Sequence, residues 1–395
     1  MQSYLSLALF SVASLGLCTL ALGGVLLRRH LASAPRAPRR TPPISVLKPL
    51  CGIDDRLEEN LALFAGLDYP DYEVVLGLKS ARDPAWRVAC AAARRWPDRF
   101  RVVLQRGAPG LNPKVNQLVT LARAARHGLL VVSDSNVRVE KGYLSEIAAL
   151  LEDETVGLVT HLIAGVGEQR AGSLMDHLHL VGSVAPGIAA LKRLALGDVV
   201  VGKSMALRRA DLSRMGGFEA VKDVLAEDYV IGLMVSSVLH KRVEVARRPV
   251  QNVSEQRTVG EFAARYRRWG VMQRQAVGPA VYLAMALLNP VPLAAVGALV
   301  RHTPGALFGF AATCAAKAAL DGAAARALRP GGFAVRQLLW VPLKDLVFSS
   351  AWAYGLVHRE VEWRGHRLRV VGGTRLELPA SDRALPEARR AVSAS

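Results

Sequence analysis

The sequence predicts an α/β domain on a Rossmann-like, mostly parallel sheet, with transmembrane helices before and after it. Three observations carry that prediction. Between Pro43 and Gln275, short apolar runs alternate with helical stretches, the order that yields parallel strands joined by crossover helices. Tyr4 to Leu27 contain no charged residue, a run long enough to cross a hydrocarbon core of about 30 Å at ~1.5 Å per residue. A second apolar region begins near Ala276, and 51% of all residues are hydrophobic, which is high for a chain without a membrane component.

The first apolar run is followed at once by Arg28, Arg29, Arg36, Arg39 and Arg40. A secretory signal would carry its positive charge ahead of the run and end at a small-residue cleavage site. Residues 1–27 therefore read as an uncleaved anchor and 28–43 as a basic linker. The positive-inside rule puts the N-terminus outside and the following domain in the cytoplasm.

Ile44 to Leu47 reads as the first strand, and Asp54 or Asp55 as the cap of a helix running to Phe64, with Leu57, Leu61 and Phe64 at helical spacing. Glu73 to Leu78 is the second strand. A helix over Ala85 to Arg95 leads to a third, Arg101 to Leu104, and a helix over Lys114 to Arg126 leads to the wholly apolar strand Leu129 to Val132. In open α/β sheets the ligand lies beyond the carboxyl ends of the strands. Asp83 and Asp134 both fall on that rim.

The domain reads as 44–275, followed by membrane segments over 276–357 and a basic tail over 358–395. Ala276 to Val300 is uncharged and suits one span. Thr303 to Leu328 and Phe333 to Val357 contain Lys317 with Asp321 and Lys344 with Asp345. In a bilayer such charges must pair, face the protein interior or sit at the interface. Three crossings would leave the tail outside, against the positive-inside rule, so one segment is expected to be re-entrant or interfacial.

Basic residues outnumber acidic ones 51 to 33, a net charge of +18, which suits anionic partners. Aromatic content is only 6%, and the acidic motifs sit at strand ends rather than among interleaved lysines and aromatics, so nucleic acid is not the expected partner. Cys18, Cys51, Cys90 and Cys314 are scattered, which argues against a zinc site or disulfide framework and for a reducing compartment. No Gly-x-Gly-x-x-Gly follows the first strand and no Gly-x-x-x-x-Gly-Lys-Ser/Thr loop is present. Dehydrogenase and ATPase readings lose their main support.

Four constellations remain. Asp134-Ser-Asn136 ends a buried strand, where two oxygen ligands could meet a divalent ion bridging phosphates; such tripeptides also cap ordinary turns. Asp83 either caps the helix after Pro84 or accepts hydrogen bonds from a nucleotide. Ala226-Glu-Asp-Tyr229 follows the glycine turn Met215-Gly-Gly-Phe218; its acids either cap the next helix or supply a general base for an acceptor hydroxyl. Arg265-Tyr-Arg-Arg268-Trp269 lies in a helix opened by Thr258 and Glu261 as a capping box. Its guanidiniums suit a diphosphate, or the helix lies on anionic lipid.

Together these pieces resemble the ceramide glucosyltransferase family of inverting, metal-dependent A-type glycosyltransferases, whose bacterial members include hopanoid-associated enzymes. The matching motifs are Val46-Leu-Lys-Pro-Leu50, Leu67-Asp-Tyr-Pro70, Asp83-Pro-Ala85, Asn112-Pro-Lys-Val-Asn116, Ser133-Asp-Ser135, Val201-Gly-Lys-Ser-Met205, Ala226 to Tyr229, Arg265 to Trp269, and in the tail Trp363 to Arg369 and Gly372-Gly-Thr374.

The resemblance implies an A-type glycosyltransferase fold and donor-binding roles for Asp83, Lys114, Asn116 and Asp134. It makes Asp134 also a ligand of Mg2+ or Mn2+, Asp228 the base, and Arg265, Arg268 and Trp269 the diphosphate and acceptor site. It further implies a multi-pass membrane enzyme, here of the bacterial inner membrane, that transfers glucose from UDP-glucose to ceramide. The alternatives are transfer of N-acetylglucosamine to a hopanoid and processive polysaccharide synthesis, for which the spans are few. Two departures stand out: Asn136 where the commoner form has a second acid, and Ala185 where eukaryotic members have a histidine. Asn252-Val-Ser254 matches a glycosylation acceptor, which a cytoplasmic domain would not use.

Overall fold

A computed structural model describes residues 1–363 and 365–379. Its centre is a seven-stranded sheet in the order β3-β2-β1-β4-β8-β6-β9. The strands are β1 (Ile44–Pro49), β2 (Tyr72–Leu78), β3 (Phe100–Leu104) and β4 (Leu129–Ser133), then β5 (Val137–Arg138), which lies outside this sheet, β6 (Val156–Thr160), β7 (Ile163–Val166), likewise outside, β8 (Ser204–Arg208) and β9 (Arg242–Val245). All pairs are parallel except those of β8, which runs antiparallel to both β4 and β6. The predicted α/β class and the first four strands hold.

The period-2 pattern explains the two layers. Ile44, Val46, Val74, Leu76 and Val131 join one core with Phe64 and Ala89. Their neighbours Leu47, Val75, Leu130 and Val132 join a second core with Val115, Leu118 and Phe218. Each face is thereby closed by helices, and each fully buried Leu or Val contributes about 1.5–3 kcal/mol. The helix after β1 begins at Leu57, later than expected, and neither Asp54 nor Asp55 caps it. Instead the Asp54 carboxylate accepts from Ser135 Oγ and that of Asp55 from the Glu255 amide, so both acids staple other loops.

A small sheet in the order β5-β10-β7, with β10 at Val250–Val253, flanks the main one. A third joins β11 (Glu360–Trp363), β12 (His366–Val371) and β13 (Arg375–Glu377) in the tail. Arg364 and residues 380–395 of the predicted basic tail lie outside the described residues.

The Gln2–Leu31 helix is continuous over 30 residues and mostly exposed. The described residues contain one more helical stretch long and apolar enough to cross a membrane, the shorter and less apolar Ala171–Arg193, but it is largely buried within the protein. The single span expected over Ala276 to Val300 is broken. Gly278 at φ +80° and Pro279 end the preceding helix, and Asn289-Pro290 restarts the chain as the 12-residue helix Pro290–Arg301. At roughly 18 Å this piece is shorter than a hydrocarbon core. Phe333 to Val357 likewise resolves into a turn at Val335–Leu338 and a helix at Val341–Val357. The charges do pair: Lys317 meets Asp321 at 2.5 Å, and Lys344 meets Asp345 at 2.5 Å and Asp321 at 3.6 Å, all buried.

The tail returns to the central domain. The Leu225 amide donates to Thr374 O at 2.8 Å, and the Leu376 amide to Asp223 O at 2.7 Å. The chain after Val357 is therefore packed against the central domain that precedes Gly278.

Candidate active site

The chain runs from β1 outward to β2 and β3, then returns to β4 on the other side of β1. This opens a crevice at the carboxyl ends of β1 and β4. Asp134 follows β4 directly. Because β8 is antiparallel, its first residue Ser204 pairs with Ser133, and the residues before it, Val201 to Lys203, arrive on the same rim.

There the Asp134 carboxylate lies between two ammonium groups, Lys114 Nζ at 3.0 Å from one oxygen and Lys203 Nζ at 3.0 Å from the other. Burial alone would raise its pKa, but the two lysines hold it well below the usual carboxylate range. Lys114 sits in the first turn of Pro113–Ala124, a helix capped by Asn112. Its Nζ also meets Glu227 at 2.9 Å and donates to Gly202 O at 3.1 Å. Burial opposes its charge, yet Asp134, Glu227 and Asp228 outweigh that and raise its pKa.

Asp228 is the second residue of the Glu227–Ser237 helix. Its carboxylate accepts the Gly202 amide at 2.6 Å and the Tyr229 amide at 2.8 Å. A Cβ at Gly202 would stand 2.6 Å from Asp228 Oδ2, so only glycine permits this approach. Burial, then the charge of Glu227, pushes the Asp228 pKa up to about 6, against the pull of Lys114 and the two amides. A carboxylate poised there can take a proton near neutral pH.

The loop in front of Asp228 is held from two directions. Asn112 donates to Val224 O at 2.7 Å and to Glu227 at 3.3 Å. From the tail, Thr374, itself at φ +59°, accepts the Ala226 amide on its hydroxyl at 3.4 Å.

Arg265, Arg268 and Trp269 lie on the helix Val259–Val277, which opens with the expected capping box. Arg265 stacks on the Trp269 ring at 4.9 Å, and its Nε is 3.6 Å from the fully buried Asp176. Asp176 also accepts from Tyr266 at 2.8 Å and pairs with Arg257. Arg265 adds to the lowering of the Lys203 pKa and Asp134 to the raising of that of Arg265, so these charged groups lie within electrostatic reach of one another. Arg268 is half-buried on that helix.

Lys48, at the end of β1, is buried beneath Asp134. Its Nζ donates to the Asp134 carbonyl at 2.9 Å and to Ser133 Oγ at 3.1 Å, over the Phe64 ring. Burial lowers its pKa to about 7, against the attraction of Asp134.

Asp83 and Asn116 flank this centre. The Asp83 carboxylate accepts the Gly52 amide at 3.0 Å and the Ala85 amide at 2.9 Å, tying the loop after β1 to that after β2. Asp83 does not cap the following helix, Trp86–Arg95, whose N-cap is Ala85 without a side-chain cap; its carboxylate instead closes the turn that leads into that helix. Asn116 exchanges both amide groups with the Gly110 backbone, at 2.9 and 2.8 Å, and shapes the wall of the crevice.

A divalent ion fits these donors poorly. Asn136 Oδ1 accepts Lys203 Nζ at 2.7 Å and its amide nitrogen donates to Val253 O. Both oxygens of Asp134 face ammonium groups. Among the described residues no group of three or more His, Cys, Asp or Glu side chains is placed to hold a metal. The oxygen pair expected of Asp134 and Asn136 is occupied by Lys203.

Asp176 is the participant that the sequence motifs do not single out; Lys203, Gly202 and Glu227 lie within quoted motifs, but their contacts with Asp134, Asp228 and Lys114 are not revealed by spacing. Lys203 reaches Asp134 through long-range antiparallel pairing, which leaves no local trace. Asp176 does leave one: it is the acid in an otherwise apolar helical stretch.

The model of glycosyl transferase family 21 matches residues 8–376. Ceramide glucosyltransferase 1 of Caenorhabditis elegans is 29% identical over 240 residues, covering 58% of this chain and 49% of that protein. Ceramide glucosyltransferase 3 of the same organism is 26% identical over 262 residues, covering 64% and 54%. The ceramide glucosyltransferase of Komagataella phaffii is 28% identical over 191 residues, covering 43% and 38%. The chain thus spans about half or less of the length of these curated relatives. Among solved structures, a mannosyltransferase from Pyrobaculum calidifontis in complex with GDP-Man and Mn2+ aligns over 89% of this chain and 99% of its own, with a TM-score of 0.50 and 22% identity. That likeness concerns the fold.

Proposed function

The chain belongs to glycosyl transferase family 21, and from that premise we propose that it transfers glucose from UDP-glucose to the primary hydroxyl of ceramide with inversion at the anomeric carbon. The observation that carries this reading is Asp228, a carboxylate with a raised pKa held against Gly202 beside the Asp134–Lys114 pair. Curated relatives named ceramide glucosyltransferases support the choice of sugar and lipid.

In this reaction the lipid hydroxyl oxygen forms its bond to the anomeric carbon while the bond to the diphosphate oxygen breaks. The hydroxyl proton passes to the Asp228 carboxylate, and UDP leaves with the bonding electrons. One carboxylate suffices for such a single displacement, since no glycosyl-enzyme forms. Lys114 and Arg265 face the departing charge, Arg268 and Trp269 line the acceptor side, and Asp83 and Asn116 shape the nucleotide end.

The exposed apolar Gln2–Leu31 helix, with Leu5, Leu7, Leu15 and Leu22 on its surface, suits insertion in a membrane with the catalytic domain on the cytoplasmic face. The lipid acceptor would then reach the site along the helices that follow Gly278. Supplying the purified protein with each labelled UDP-sugar and with ceramide or a hopanoid tests the assignment. A glucosylceramide product is expected; transfer of N-acetylglucosamine to the hopanoid alone would replace the substrate pair and keep the chemistry, and a long polymer would replace both.

A further inference from the structure

Lys203 is the part of the site that the proposed reaction leaves without a task. Its ammonium group is largely buried, 3.0 Å from Asp134 Oδ2 and 2.7 Å from Asn136 Oδ1. Lys114 holds the other Asp134 oxygen at 3.0 Å. Two ammonium groups thus converge on one carboxylate, with Arg265 and Lys48 close by. A dication on Asp134 would have to sit against both ammonium groups, where like charges repel strongly in a low-dielectric setting. A diphosphate meets the opposite situation, because its oxygens can replace the carboxylate as acceptors of the same N–H donors. The positions two residues apart that would offer two oxygen ligands instead offer one carboxylate and an amide already bound to Lys203.

We propose that Lys203 and Lys114 act as a paired ammonium clamp for the donor's diphosphate, performing the charge neutralisation that a divalent ion would otherwise supply. Asp134 keeps the pair in register until the donor arrives. The inference rests on the nucleotide-sugar reading and specifies how this chain binds the donor. Register explains why the clamp can exist: antiparallel pairing of Ser204 with Ser133 places Lys203 beside Asp134 with no intervening chain, while the Asn112 cap sets Lys114 at a helix N-terminus facing the same rim.

Equilibrium binding of radiolabelled UDP to the detergent-solubilised full chain tests this, in EDTA and in Mn2+, with uridine as the probe lacking a diphosphate. The wild-type chain is expected to bind UDP equally well in both solutions. Lys203→Met should weaken UDP binding about tenfold to a hundredfold and leave uridine binding unchanged, and Lys203→Arg should restore most of the loss. The EDTA comparison needs no variant and so is immune to misfolding. UDP binding that requires Mn2+, or that Lys203→Met leaves unchanged, would overturn the clamp while the nucleotide-sugar reading stands. Absence of UDP binding in both solutions would overturn both.

Discussion

Replacing Asp228 by asparagine should stabilise the protein while abolishing its turnover. The carboxyl pKa is raised from 3.8 to about 6, first by burial and then by the charge of Glu227. A carboxyl whose folded pKa lies above its unfolded value favours the fold when protonated. That advantage is complete below about pH 4 and is lost as pH rises through 6, leaving the ionised group a burden at neutral pH. At ~1.36 kcal/mol for each tenfold change in proton affinity, the rise amounts to about 3 kcal/mol. Asparagine removes the charge and retains the shape, but it can accept only one of the two amides now donated by Gly202 and Tyr229, a loss of about 1 kcal/mol. The net gain is about 2 kcal/mol at pH 7.5, and it should vanish near pH 4. Thermal unfolding in detergent at both pH values, run beside turnover, measures it. Turnover should fall by about 10²–10⁴, the usual worth of a general base. A variant less stable than wild type at pH 7.5, or one that keeps its turnover, would refute the reasoning.

Other expectations follow from the same geometry. The pH profile of kcat/KM should have an acidic limb near 6, because Asp228 must be ionised to accept a proton; Glu227→Gln removes a raising charge and should move that limb to lower pH. Gly202→Ala places a methyl 2.6 Å from the Asp228 carboxylate and should cost about 1–3 kcal/mol of stability, with turnover reduced at least tenfold; thermal unfolding and initial rates record both. Asp176→Asn loosens Arg265 without touching substrate, so KM for the donor should rise several-fold more than kcat falls. Truncation after Val357 removes Thr374 from the loop before Asp228 and should lower kcat with little change in donor KM, read from steady-state kinetics.

What the residues disclose in advance differs by the range of the interaction. Strands β1 to β4 were legible because apolar runs of four to six residues are bounded by Pro, Asp and Gly within a few positions. The Thr258–Glu261 capping box was equally local. The break at Gly278-Pro279 and Asn289-Pro290 was written in the sequence too, but uniform hydropathy across Ala276 to Val300 masked it. Nothing local told that β8 would insert antiparallel between β4 and β6, and so Lys203 and Gly202 came to Asp134 and Asp228 unannounced. The same holds for Thr374, which acts 148 residues away from the amide it accepts. Asp134, Asp228 and Arg265 were foreseeable as residue types at strand ends and on one helix face. Their partners required the fold.

The central claim is that this chain joins a hexose to a lipid hydroxyl by a single displacement. Proton NMR of the purified lipid product formed from UDP-glucose and ceramide tests it most directly, through the coupling of the anomeric proton. The account predicts a β-linked glucosylceramide from the α-linked donor. An α-linked product, or UDP-glucose consumed with no glycolipid formed, would contradict it.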